Sequence, residues 1–238
     1  DGTEIEVDPM RVPFSGYVFK LQANMDRRHR DSMAFIRVCS GRFDKDLMIK
    51  HSRLKREIRL SRPHGMVAGE RTTVDEAYPG DIIGVINPSL FAIGDTVSLT
   101  GDFQFKPLPQ FQPEIFARLD PQDVGKRKAF DKGVLQLSNE GAIQMLNPYE
   151  VEGKPIFAVV GRLQFEVMQY RLKDEYGVET TLTPLPYQCS AWIVGDMTTF
   201  TKPTSAVIMQ DKHGNPMALF TGQWEKQYCI KQNPNHEL

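Results

Sequence analysis

Along the first hundred residues, apolar and polar positions recur in short runs rather than in helical turns. Alternating or unbroken apolar stretches at 16–21, 33–38, 46–49, 57–60, 82–86 and 96–99 are separated by Gly, Pro and Asp, the pattern of many short strands joined by turns. An open sheet of this kind would leave sticky edges, and closure removes them, so residues 1–106 are expected to form a β-barrel rather than a sandwich. Two turns are explicit. In Ala77-Tyr78-Pro79-Gly80-Asp81-Ile82, Pro79 presets φ and Gly80 is free to take a positive φ, which reverses the chain into the next strand. Gly94-Asp95 in Ile93-Gly94-Asp95-Thr96 reads as a second hairpin turn ahead of Val97.

The stretch 107–113 carries three prolines, cannot continue a central strand, and reads as a semi-rigid linker. Beyond it the period changes. Residues 114–119 alternate as a strand, and Asp120-Pro121 offers an N-cap with proline at the first helical position. Phe130, Val134 and Leu137 then fall at i, i+4 and i+7, with Gly141 as the C-terminal cap. Runs 142–146 and 156–160 read as strands, the second apolar throughout as at a sheet centre. Leu163, Val167 and Leu172 are assigned to one helical stripe that ends at Tyr176-Gly177, and 178–185 is again β. The order β-α-β-β-α-β is the ferredoxin-like split βαβ pattern of an α+β domain over 114–238. Three further β-like pieces, 191–194, 205–209 and 216–220, either extend its sheet or form a small separate layer.

Composition acts mainly by exclusion. With 238 residues, 40% hydrophobic and 25% charged, the chain has the make-up of a soluble globular protein. No apolar run approaches a membrane span and the first residues lack the regions of a signal sequence, so secretion and membrane insertion are not expected. Cys39, Cys189 and Cys229 lie far apart without a Cys-x-x-Cys pair and are read as reduced thiols of a cytoplasmic protein. The histidines His29, His51, His64, His213 and His236 lack ligand spacing and are read as surface or turn residues, with no metal site. Neither the P-loop, nor Gly-x-Gly-x-x-Gly after a strand, nor His-Glu-x-x-His, nor a Gly-x-Ser-x-Gly elbow is present. No catalytic or cofactor-binding residue is assigned, and enzymatic activity is not expected of this chain.

A formal net charge of −1 hides an uneven distribution: residues 11–62 hold 14 Lys and Arg against 5 acids. Arg27, Arg28, His29 and Arg30 fall in one connection between strands, and Lys50, Arg53, Lys55 and Arg56 fall in another. In a barrel such connections can converge on one end, where clustered cations release counterions from a phosphate backbone. Structured RNA is the natural partner, held by phosphate and shape contacts because stacking aromatics are not evident nearby. An ordinary solvated face partly paired with Asp26, Asp31 and Glu57 is the alternative.

Taken in order, Phe14-Ser15-Gly16-Tyr17-Val18-Phe19-Lys20, Met25-Asp26-Arg27-Arg28-His29-Arg30-Asp31, Ala34-Phe35-Ile36-Arg37-Val38 with Ser40-Gly41, and the two turn motifs above resemble the second domain of the bacterial class-II release-factor GTPases, the peptide chain release factor three family. Residues 133–142 and Gly161-Arg162-Leu163-Gln164-Phe165-Glu166-Val167 continue the resemblance into its third domain. The last stretch is also similar to a Leu-His-Leu-Glu-type segment of elongation factor G. The resemblance implies a translation-factor barrel followed by a ferredoxin-like domain. It implies a parent protein whose GTP and Mg occupy a domain preceding the barrel, and which promotes departure and recycling of class-I release factors from the ribosome in the cytoplasm. This chain would then be the C-terminal part without the nucleotide domain, monomeric, with no cofactor of its own. Its barrel would lie against small-subunit RNA, and its third domain would face a ribosomal protein and the class-I release factor. Alternatives are a stand-alone RNA-binding barrel with a ferredoxin-like module, a fragment of a related elongation-factor or ribosome-protection GTPase, and a small-substrate enzyme using Arg118, Asp120 and Arg162 in an interdomain cleft.

Overall fold

The computed structural model describes residues 4–10, 13–23, 32–60, 64–67, 70–87 and 90–238, without the side chains of 64–67 and 70–72. The chain divides into two compact units, Asp1–Pro109 and Gln110–Leu238.

The first unit is built from strands β1 (Ser15–Gln22), β2 (Met33–Ser40), β3 (Phe43–Asp44), β4 (Met48–His51), β5 (Arg56–Arg59), β6 (His64–Val67), β7 (Glu70–Thr73), β8 (Glu76–Ala77), β9 (Ile82–Ile86) and β10 (Thr96–Ser98). Eight of them pair in the order β5-β4-β10-β1-β2-β9-β6-β7, and β3 pairs with β8. Register shifts at Ser15/Gly16 and Val18/Lys20 bend β1 against β2. The sheet thereby curls round one core in which Val18, Ile36, Phe43, Ile49, Ala77, Ile83 and Val97 meet from seven strands and both sheets, the barrel-like form expected. The β6–β7 hairpin was not foreseen, since the polar stretch between Leu60 and Ile82 lacks an apolar alternation. The turn 78–81 closes through the Asp81 N–H to the Tyr78 carbonyl at 2.9 Å, with Gly80 at φ 102°.

The second unit comprises β11 (Ile115–Pro121), a 3-10 turn (Val124–Lys126), α1 (Arg127–Asn139), β12 (Gln144–Pro148), β13 (Ile156–Val159), α2 (Leu163–Tyr176), β14 (Thr180–Pro184), β15 (Cys189–Trp192), β16 (Val207–Gln210), β17 (Pro216–Phe220) and α3 (Gln223–Gln232). Its sheet runs β14-β11-β13-β12-β16-β17-β15. The first four strands have the antiparallel ferredoxin-like order, and the tail extends the sheet through Asn147 opposite Gln210. Central β13 is buried on both faces. Phe157 and Val159 pack with Phe130, Val134 and Leu137 of α1 and Phe165, Met168 and Leu172 of α2, while Ile156 and Ala158 pack with Met209, Met217 and Leu219 of the tail.

Three sequence expectations change here. Helix α1 begins later than Asp120-Pro121, because those residues stay in β11 opposite Thr181 and Thr180. Asp123 caps the 3-10 turn that precedes it, accepting from the Gly125 N–H at 2.8 Å, while α1 itself starts after Lys126 without a side-chain cap. In α2 the buried residues are Phe165, Met168 and Leu172, so Leu172 does not share a stripe with Leu163 and Val167, which are exposed. Helix α3 was not expected; its inward residues are Glu225 and Cys229, its outward ones Trp224 and Tyr228. Glu225 fixes the helix start by accepting from the Thr221 N–H and hydroxyl, both at 2.7 Å, and from the Ser205 hydroxyl. The α1 and α2 ends are tied by Arg171, which donates to Glu140 at 2.6 Å and to Glu175 at 2.5 Å. Burial alone would lower the Arg171 pKa, but the two carboxylates more than offset it and hold it above its ordinary value.

Gly16 sits where a Cβ would stand 2.6 Å from Ile36 Cγ2 and 3.3 Å from the Arg37 carbonyl oxygen. Gly16→Val is expected to overpack the β1–β2 contact and cost about 1–3 kcal/mol, read as an earlier thermal unfolding transition; an unchanged midpoint would contradict this packing.

Candidate nucleic-acid interface

Strand β4 alternates strictly: Met48 and Lys50 face out, Ile49 and His51 face in. The turn 52–55 then leads into β5, with Lys55 at φ 52°, so Lys50, Arg53, Lys55 and Arg56 are displayed on one short hairpin. The four other predicted residues, Arg27, Arg28, His29 and Arg30, lie outside the described residues.

What holds this hairpin is buried charge. Asp95, predicted only as a turn residue, points into the barrel and is almost wholly shielded. Its carboxylate accepts from Arg53 Nε at 2.7 Å and Nη2 at 2.8 Å and from the Ala92 N–H at 2.7 Å. His51 Nε2 stands 2.9 Å from the same carboxylate. The Leu54 N–H donates to His51 Nδ1 at 3.3 Å, which leaves Nε2 turned toward Asp95. The ring stacks on Phe91 at 5.6 Å. His51 is therefore a fully buried structural residue, not a surface or turn histidine, because a buried carboxylate needs every donor it can reach. Burial alone would raise the Asp95 pKa; the hydrogen bonds from Arg53, His51 and the Ala92 amide outweigh it and hold the carboxyl well below the usual carboxylate range.

The basic region is thus divided by pairing. Arg53 serves Asp95, Arg42 faces Asp44 at 2.9 Å, Lys45 faces Asp75 at 3.4 Å and Arg59 faces Asp46 at 3.3 Å. Among the described residues, Lys50, Lys55 and Arg56 are exposed and form no ion pair. Glu57 opposes Lys50 in the ladder without pairing to it. Sequence reasoning missed two aromatic neighbours. Phe103 and Phe105, half-buried and edge-on at 5.3 Å, line an open cleft of about 1540 Å³ together with Lys55, Arg37 and Tyr17. Their i, i+2 spacing was the available signal. The segment is pinned beside the hairpin by the Ser52 hydroxyl donating to the Phe103 carbonyl at 3.0 Å. Arg118, Asp120 and Arg162 all belong to the second unit, and Asp120 is engaged by Lys154 at 2.8 Å. Among the described residues no group of three or more His, Cys, Asp or Glu is placed to hold a metal ion, and no helix is long and apolar enough to cross a membrane.

Comparison with known proteins agrees with this architecture. Residues 13–100 match the family described as elongation factor G domain 2, and residues 105–230 match the family described as class II release factor RF3, C-terminal domain. A barrel of the first kind followed by a sheet-and-helix domain of the second defines a translation factor. The chain belongs to the class II release factor RF3 family. Peptide chain release factor 3 of Nostoc punctiforme is 47% identical over 237 residues, 98% of this chain and 44% of that protein. Its counterpart in Microcystis aeruginosa is 45% identical over 236 residues, 98% and 43% respectively, and that of Synechocystis sp. 47% over 228 residues, 94% and 42%. The chain thus spans less than half the length of these relatives. The crystal structure of ttk003000868 from Thermus thermophilus shares the fold at a TM-score of 0.60 and 19% identity, over 84% of this chain and 30% of that one.

Because the folded Asp95 pKa is depressed, its contribution to stability is complete above the unfolded value of about 3.9 and is lost as pH falls below it toward the folded value. Asp95→Asn should cost about 2–3 kcal/mol near neutrality, a figure reduced for the half-exposed Arg53. It should also flatten the acid limb of the stability–pH profile; denaturant titration from pH 7 to pH 2 checks both, and an unaltered acid limb would show that Asp95 does not drive it.

Proposed function

We propose that this chain is the ribosome-engaging part of a termination factor that promotes release and recycling of class-I peptide chain release factors in the cytoplasm. GTP and Mg would act on a nucleotide-binding domain elsewhere in the longer protein, and this part would bind rather than catalyse. The barrel lies against small-subunit RNA, and the second unit faces a ribosomal protein and the class-I factor. The GTP state of the longer protein sets an arrangement incompatible with a bound class-I factor, and the barrel's cations hold the factor in place meanwhile. The observation that carries the RNA contact is the hairpin on which Lys50, Lys55 and Arg56 stand exposed and unpaired, on a base fixed by Asp95. Clustered free cations bind phosphate by counterion release, whereas cations already matched to carboxylates release little.

Co-sedimentation of the chain with ribosomes across a salt series tests this, beside a variant carrying Lys50→Glu, Lys55→Glu and Arg56→Glu. Arg53 is left intact because its loss would disturb the fold. The log–log salt slope should shrink by about 0.7–0.9 for each phosphate contact removed. An unchanged slope and affinity would remove the hairpin from the interface.

A further inference from the structure

Helix α2 is apolar on two sides. Opposite its buried residues, Leu163, Val167 and Tyr170 follow one another at i, i+4 and i+7 and are 67%, 45% and 68% exposed. Val160, at the end of the strand leading into the helix, is exposed as well. Single surface aliphatics are ordinary, but this spacing gathers three large side chains on one face two turns long. Leu163 and Val167 belong to the motif 161–167 noted in the sequence, and of its apolar side chains the core uses Phe165 alone. Leaving the other two in water contributes nothing to folding.

Charge defines what the face can accept. Glu166 lies on it between Leu163 and Tyr170, exposed and without an ion pair among the described residues. Arg171 is taken by Glu140 and Glu175, and Lys173 by Glu179 at 2.8 Å; Arg162 stands at the rim. We propose that this face docks a basic amphipathic protein segment, one that sets aliphatic side chains a turn apart around a lysine or arginine meeting Glu166. A nucleic acid would find one stacking plane, Tyr170, and one cation, Arg162 at the rim, but would have to set its phosphates against Glu166, which repels them. A second copy of the chain docking face to face would set Glu166 against Glu166, because a two-fold interface opposes identical patches.

Docking on α2 does not involve the barrel's cations, so it can be tested without ribosomes. The isotope-labelled full chain would be titrated by NMR with two synthetic amphipathic helical peptides of one design, a Leu/Lys version and a Leu/Glu version. The Leu/Lys peptide should bind at least about tenfold tighter, with shifts centred on residues 160–170. Glu166→Lys should reverse the preference, and Leu163→Ser with Val167→Ser should abolish binding at an unchanged melting temperature. Equal affinity for both peptides, shifts elsewhere, or occupation of the same face by an oligonucleotide or by a second copy of the chain would overturn it.

Discussion

One carboxylate taken out of water organises the exposed end of the barrel. An unpaired buried Asp95 would be costly, and its donors come from three separate places: the last residue of β4, the turn that follows it, and the backbone at Ala92. Satisfying it therefore brings segments about forty residues apart in sequence to one point and leaves the hairpin little freedom. Arg53 also donates to the Leu90 carbonyl at 3.0 Å, so the guanidinium bridges two loops. The free cations are consequently displayed on a rigid support, and binding through them requires little additional ordering. The second unit is organised differently, by a central strand with a layer on each side, and the half-buried ionic cluster around Arg171 joins helix ends rather than shaping a surface.

Much of this was legible from the chain. Period-two runs located β1, β2 and β9, and the β-α-β-β-α-β order of the second unit followed from the alternation of periods. What escaped depends on partners distant in sequence. Gly94-Asp95 looks like any turn until His51 and Arg53 arrive beside it, and a lone histidine in a polar neighbourhood carries no mark of full burial. Asp120-Pro121 fits a helix start locally, but the ladder to Thr181 and Thr180 claims both residues first. In α2 two apolar stripes compete at helical spacing, and only packing against Phe157 and Phe130 selects Phe165 over Leu163. Helix α3 reverses the usual pattern altogether, with an acid and a thiol inward and a stacked Trp224–Tyr228 pair outward. The basic residues were visible as a cluster; which of the described ones remain free of carboxylates was not, because pairing is a property of the folded surface.

The two-sided burial of β13 ties the tail to the helical layer. Because alternate residues of one strand serve the helical layer on one face and the tail on the other, the tail is no detachable appendage. Loss of the tail would therefore uncover Ile156 and Ala158 on the second face of the very strand against which α1 and α2 pack.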